Sequence, residues 1–191
     1  MENTNIQNTN IQNISSKSNE HMRPGYSDPS SYPEIKVSGP NKYYAKLLFD
    51  DYAGVVSEFS AINQYLYHHF DIDPKYQDVR TALENIAIVE MYHREILAKI
   101  IKMLGLAPVY VSTLNKFWNA KYVYYGKNLC DQLIADRQSE IDAIKNYEKK
   151  ILMIKDPYIQ NIIKRIILDE KFHLEIFNKY IKKYCSTQNK A

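Results

Sequence analysis

The chain has 191 residues, with 25 Lys and Arg against 22 Asp and Glu, for a net charge of +3. That length suits one domain with a sizeable core rather than two, and the charge is too small to argue for nucleic acid or a membrane surface as partner. Two cysteines, Cys130 and Cys185, give no Cys-x-x-Cys iron or redox pair and no disulfide framework. No apolar run approaches the ~20 residues of a membrane span and no basic-then-apolar leader opens the chain, which reads as cytoplasmic.

Residues 1–41 are predicted to be a polar, mostly disordered tail. Asn-Thr-Asn-Ile-Gln occurs twice near its start, and Arg23-Pro24-Gly25-Tyr26 and Ser38-Gly39-Pro40 follow. Such a composition buries too little apolar surface to offset the entropy of ordering. Within it, the part from Met22 to Pro40, with Tyr26 and Tyr32, is the stretch that can instead dock as an extended strap.

From residue 42 to 185 the apolar period is helical. Leu47, Leu48, Tyr52, Val55, Val56, Phe59, Ile62, Leu66 and Phe70 recur at three and four, with Asp50 and Asp51 off that stripe, predicting a first helix over about 43–70. Pro74 forbids continuation and seeds a second helix over about 75–104, which Gly105 ends. A third helix is predicted over about 127–155 and, after Asp156-Pro157, a fourth over 157–184; residues 186–191 remain as a C-terminal tail. The two short breaks make antiparallel hairpins. The aromatic segment 105–126 has no helical period. Extended at ~3.3 Å per residue it can reach roughly 70 Å, and a helix of ~28 residues is only ~42 Å long. Helices two and three can therefore run parallel. The predicted fold is all-α, an antiparallel four-helix bundle with one long crossover between helices two and three.

Across these helices one pattern is given twice. Glu58-Phe-Ser-Ala-Ile-Asn-Gln-Tyr65 and Glu140-Ile-Asp-Ala-Ile-Lys-Asn-Tyr147 both read E-x-x-A-I-x-x-Y, and Glu90-Met-Tyr-His93-Arg-Glu-Ile and Glu170-Lys-Phe-His173-Leu-Glu-Ile both read E-x-[FY]-H-x-E-I. The paired blocks lie 82 and 80 residues apart. Each of the four glutamates also lies about 15–17 residues from its hairpin turn, so all four meet at one level roughly 23 Å from the turns. Glu-x-x-His at i,i+3 puts both side chains on one helical face.

Four carboxylates and two imidazoles can balance two divalent cations, and the mixed oxygen and nitrogen set suits iron or manganese better than a closed zinc site. The expected metal ligands are Glu58, Glu90, His93, Glu140, Glu170 and His173. Around them, Asp169 can orient a ligand imidazole through Nδ1–H, with Asp136 a second candidate of that kind. Tyr65 and Tyr147 share their glutamate's face two turns along, either as core residues or as outer partners. His68 and His69, about 15 Å of helix beyond Glu58, are read as surface residues outside the site.

With these residues in place, the chain over about 43–184 resembles the ferritin-like superfamily of di-metal carboxylate proteins, and within it the bacterioferritin- and rubrerythrin-like proteins of anaerobic bacteria. The resemblance implies the ligand roles just named and makes His93 the partner of Asp169. Ala143 stands where a rubrerythrin carries an extra Glu, and the Cys-rich rubredoxin tail is missing. Two iron ions are the implied cofactor, with two manganese ions the alternative and no haem assigned.

The implied function is an oxidoreductase acting on O₂ or hydrogen peroxide in oxidative stress, with an unknown electron donor; a homodimer is one assembly the bundle allows. Two alternatives stand beside it: an iron-binding or storage protein with ferroxidase activity, and a structural or coat-type protein on the same scaffold.

Overall fold

The helical periodicity resolves into five α-helices within residues 23–185, the span described by the structure, a computed structural model. They are α1 (Lys42–Ala53), α2 (Glu58–Asp71), α3 (Gln77–Met103), α4 (Leu129–Met153) and α5 (Pro157–Tyr184). α1 and α2 together take the place of the first bundle helix, α2 pairs with α3, and α4 pairs with α5. Among the described residues no helix is long and apolar enough to cross a membrane.

The expected continuous helix over 43–70 is broken at residues 54–57, and the cause is local. Gly54 leaves the helix with extended backbone, and a Cβ at that position would sit 2.5 Å from the Asp50 carbonyl oxygen. Ser57 then caps α2 by accepting from the Ser60 amide, while the Ser57 and Ser60 hydroxyls both donate to the Gly54 carbonyl. Glu58 thereby becomes the first residue of a new helix, beside a break that opens the bundle wall.

The crossover after α3 runs alongside α1 and α2. It starts where the Asn41 amide meets the Leu104 carbonyl, passes Asp50 at Thr113 and Ser60 at Trp118, and reaches Gln64 and His68 at Tyr124. Gln132 of α4 then bonds Asp71 at the far end of α2. Since α3 also starts at that end, α3 and α4 run parallel. The bundle interior divides into two apolar clusters. One is built on Leu48, Tyr52, Ile100, Ile159 and Ile163, the other on Val79, Leu83, Ile86, Leu133 and Phe177.

Residues 23–41 do not behave as the tail that composition predicts. Tyr32, Ile35 and Val37 pack against the first apolar cluster, and the buried Arg165 guanidinium donates to the carbonyls of Ser30 and Asp28 at 2.8 Å each. Three apolar side chains and one buried cation supply the burial that the sequence composition hides. The extended-strap alternative given for Met22 to Pro40 therefore describes its residues 23–40; the expectations for residues 1–22 and 186–191 lie outside the described residues.

A second correction concerns the cysteines. Cys130, at the start of α4, and Cys185, at the end of α5, form a disulfide with Cα atoms 5.6 Å apart. Fifty-five residues separate them, so no sequence spacing motif announced it; the antiparallel hairpin brings both to one end of the bundle. Closing a loop of that length is worth about 4 kcal/mol in the chain-entropy account. Cys185→Ser should therefore lower stability by about 2–4 kcal/mol in denaturant unfolding, and the reduced wild type should unfold at the variant's midpoint.

Candidate metal centre

Between the two apolar clusters, the six residues drawn from the repeat converge. Ligand-type atoms of Glu58, Glu90, His93 and Glu170 lie within 4.8 Å of one another, as do those of Glu90, Glu140, Glu170 and His173. All six side chains are buried. The two sets share Glu90 and Glu170, and the atoms involved show why. Glu90 directs Oε2 to His93 Nδ1 at 2.7 Å and Oε1 to His173 Nδ1 at 2.9 Å. Glu170 likewise directs Oε1 to His93 Nδ1 at 3.3 Å and Oε2 to His173 Nδ1 at 3.4 Å. Each of these two carboxylates thus spans both positions. Glu58 and Glu140 address one position each, with Oε2 at 3.6 Å from His93 Nδ1 and at 3.8 Å from His173 Nδ1 respectively.

The arrangement fits two metal ions better than it fits itself. Glu90 Oε1 and His173 Nδ1 are both buried, sit 2.9 Å apart, and still make no hydrogen bond of proper geometry. Buried polar atoms without partners are rare and costly. Here the unsatisfied pair consists of two atoms aimed at one shared point, which a cation would satisfy.

The repeat's tyrosines cross over. Tyr65, on the helix of Glu58, donates to Glu140 Oε1, and Tyr147, on the helix of Glu140, donates to Glu58 Oε1. Burial first, then the neighbouring carboxylates, push both phenols well above their usual range, so both stay protonated donors. Each thereby holds one oxygen of a single-position glutamate and leaves the other facing the centre.

The two imidazoles differ in what backs them. His93 Nε2 meets Asp169 Oδ2 at 3.0 Å, so contact is through Nε2 and not through the Nδ1–H expected from the sequence. Arg165 at 2.7 Å and the Tyr32 hydroxyl also hold that carboxylate. Burial opposes its ionisation, but His93, Tyr32 and Arg165 bring it down to about 2, an anion at any working pH. His173 Nε2 instead meets the backbone carbonyl of Tyr26 at 2.9 Å.

Asp136 has another job than the one expected of it. One turn before Glu140, it faces the far end of α2, where it meets His68 Nδ1 at 2.8 Å and accepts from Gln64 Nε2 at 2.8 Å. His68 is fully buried, not a surface residue, and its Nε2 meets the Tyr124 carbonyl, tying the crossover to the bundle. Sequence reasoning also missed Asp51. It is 3% exposed, 3.5 Å from Lys150, and burial pushes its carboxyl up to about 7. Asp51 lines a cavity of about 160 Å³ that passes the α1–α2 break at Val55, Val56 and Ser57 and reaches Glu58, Glu90, Glu140 and Glu170, with Tyr65 and Tyr147 beside them.

The centre's protonation follows from its crowding. Burial, then the charges of Glu90 and Glu170, push Glu58 and Glu140 well above the usual carboxylate range. Burial also opposes ionisation of Glu90, yet His173 and His93 hold it below that range; Glu170 goes down for the same reason, against Glu90. Burial disfavours charge on both imidazoles, but Tyr32 and the carboxylates raise His93 and the carboxylates raise His173 well above the usual value. Glu58, Glu140, His93 and His173 therefore each hold a proton to higher pH than usual.

The family model described as Rubrerythrin matches residues 53–181. A probable manganese catalase of Clostridium acetobutylicum is 26% identical over 171 residues, covering 78% of this chain and 75% of that protein. The crystal structure of KatB, a manganese catalase from Anabaena, superposes with a TM-score of 0.78 at 21% identity over 87% of this chain and 83% of its own. Desulfovibrio desulfuricans bacterioferritin, with its diiron site, superposes at 0.64 with 26% identity over 76% of this chain and 83% of its own.

The protonation pattern gives a test. Any of Glu58, Glu140, His93 and His173 that carries a proton must lose it to bind metal, so loading two divalent ions should release up to four protons. Every one of those groups holds its proton to a higher pH than usual, so the sign is fixed: affinity should climb with pH and be lost as pH falls. Calorimetric titration with Mn(II) in buffers of different ionisation enthalpy counts the protons directly. Release of fewer than two would contradict the cluster's protonation.

Proposed function

The chain belongs to the rubrerythrin family and is a ferritin-like di-metal carboxylate protein, and from that premise we propose that it disproportionates hydrogen peroxide at a two-manganese centre. Glu58, Glu90, His93, Glu140, Glu170 and His173 would hold the metals. The observation that carries the reading is the cavity, about 160 Å³, which runs from the α1–α2 break to all four glutamates of the centre. It admits a molecule the size of peroxide and ends where an open coordination position would face it. The relative named a probable manganese catalase supports both the metal and the substrate class.

When bound, the metal pair supplies a reversible two-electron store, so that one peroxide is oxidised to O₂ and a second is reduced to water, 2 H₂O₂ giving 2 H₂O and O₂. No outside reductant enters that balance, in keeping with a sequence whose only two cysteines are joined in a disulfide. The protein's part is positioning and proton handling. Glu90 and Glu170, each with one oxygen toward His93 Nδ1 and the other toward His173 Nδ1, would hold both metals. Tyr147 and Tyr65 pin Glu58 Oε1 and Glu140 Oε1 beside the cavity, and these oxygens are where protons leaving peroxide can be held. Asp169, anionic and held by Arg165 and Tyr32, keeps His93 oriented with Nδ1 toward the centre.

A second reading has its own support: 26% identity to a bacterioferritin with a diiron site favours iron oxidation and storage. One set of measurements separates the two. The Mn-loaded protein, without reductant, should evolve one O₂ for every two H₂O₂ consumed, and Mn(II) should raise its melting temperature by mass action. Glu140→Ala should abolish both effects. Peroxide consumption only with added reductant, or a cage-sized particle that takes up and oxidises Fe(II) while the Mn form stays inert, would favour the iron reading.

A further inference from the structure

The repeat that builds the centre is broken at one position. Asp169, the residue before Glu170, has Val89 as its counterpart before Glu90, and Val89 is buried at 2% exposure. Asp169 backs His93 on the opposite helix. By the same symmetry, an acid at position 89 would back His173, and the chain has none there. What meets His173 Nε2 instead is the Tyr26 carbonyl at 2.9 Å, delivered from outside the bundle. A metal-bound histidine generally needs such an acceptor on its other ring nitrogen, which fixes the tautomer and the ring orientation.

The delivery is built into the local sequence. In Arg23-Pro24-Gly25-Tyr26 the Tyr26 amide donates to the Arg23 carbonyl at 2.8 Å, and Gly25 has φ +84. Pro at the second and Gly at the third position is the signature of a type II turn, whose third residue must adopt positive φ. The Ser27 hydroxyl bonds back to the Arg23 carbonyl, and Ser27 is buried. Two and six residues after Tyr26, the same segment reaches the other imidazole's support: the Asp28 amide donates to Asp169 Oδ1 at 2.7 Å and the Tyr32 hydroxyl donates to Asp169 Oδ2. One short stretch outside the four helices therefore backs both ligand histidines, directly at His173 and through Asp169 at His93.

We propose that the strap over residues 23–32 is a working part of the metal centre, its Tyr26 carbonyl being the positioning acceptor that aims His173 Nδ1 at the second metal position in place of the acid missing at Val89. The inference rests on the two-metal reading of the cluster. It implies that the two positions are not equivalent: the one served by His93 is backed by a carboxylate, and the one served by His173 is backed by a neutral carbonyl from outside the four-helix bundle.

The test uses the full chain. Gly25→Val changes no bundle residue, and a Cβ at position 25 meets no atom within 4 Å, but a β-branched residue strains the turn at φ +84 and should displace the Tyr26 carbonyl. Mn(II) calorimetry on the wild type should first show two sites; a wild type without two sites would overturn the two-metal reading and this inference with it. Given two sites, Gly25→Val should weaken one of them by roughly 10–100-fold, the usual loss when such an outer partner is removed, and leave the other within about threefold. Adding Val89→Asp to Gly25→Val should restore the weakened site, because the new carboxylate takes the place the symmetry reserves for it. Paramagnetic resonance of the protein with two Mn(II) added provides a readout apart from activity. A coupled pair is expected in the wild type and the double variant, and mostly isolated ions in Gly25→Val. Two unweakened sites in Gly25→Val, equal loss at both, or no rescue by Val89→Asp would each overturn the assignment while leaving the two-metal centre standing.

Discussion

Four carboxylates cannot share one apolar layer of a helical bundle unless something neutralises them. Taking a single ionised carboxylate out of water costs several kcal/mol even after relaxation, and here Glu58, Glu90, Glu140 and Glu170 are all buried within reach of one another. Protons can meet the conflict: burial, Glu90 and Glu170 push Glu58 and Glu140 well above the usual carboxylate range, while the two imidazoles hold Glu90 and Glu170 below it. That solution leaves Glu90 Oε1 and His173 Nδ1 facing each other without a hydrogen bond. Two divalent cations in place of four protons would keep the charge and remove the defect. The rest of the molecule is arranged around this exchange.

Each support acts on a particular atom. The crossed tyrosines pair every single-position glutamate with a phenol from the opposite hairpin, so the two halves of the bundle are tied through the centre itself. His68, Asp136 and Gln64 fasten the crossover along α2, which closes the wall beside the site. The α1–α2 break works in the other direction. Gly54 and Ser57 interrupt the wall at the height of Glu58 and open an approach to the centre, with Asp51 and Lys150 beside it.

Much of this was legible in the sequence because the repeat encodes positions, not just residue types. Two Glu-only blocks and two Glu-x-x-His blocks, spaced equally from their turns, leave four helices few other ways to bury themselves. The pairing of Asp169 with a histidine was likewise readable from its place beside Glu170. What escaped notice depends on contacts that no helical period records. Tyr26 acts through its carbonyl, which any residue has, so only the Pro-Gly turn before it carried a signal. Arg165 and Asp51 sit in stretches where a charge reads as a solvated face, and their burial is decided by the strap and by Lys150. Gly54 was visible as a glycine within an apolar helical pattern, a costly choice there, and it marks the break. The Cys130–Cys185 bond had no motif because two helix ends, not a sequence spacing, create it.

With metal bound, Glu90 and Glu170 would each span two metal positions while Glu58 and Glu140 would serve one apiece. Anomalous diffraction at the manganese edge from crystals grown with Mn(II) reads this directly. The account predicts two peaks about 3.5–4 Å apart, the separation usual for two-metal sites, one beside Glu58 and His93 and the other beside Glu140 and His173, with Glu90 and Glu170 between them. A single peak, or peaks outside the layer these six residues form, would contradict it.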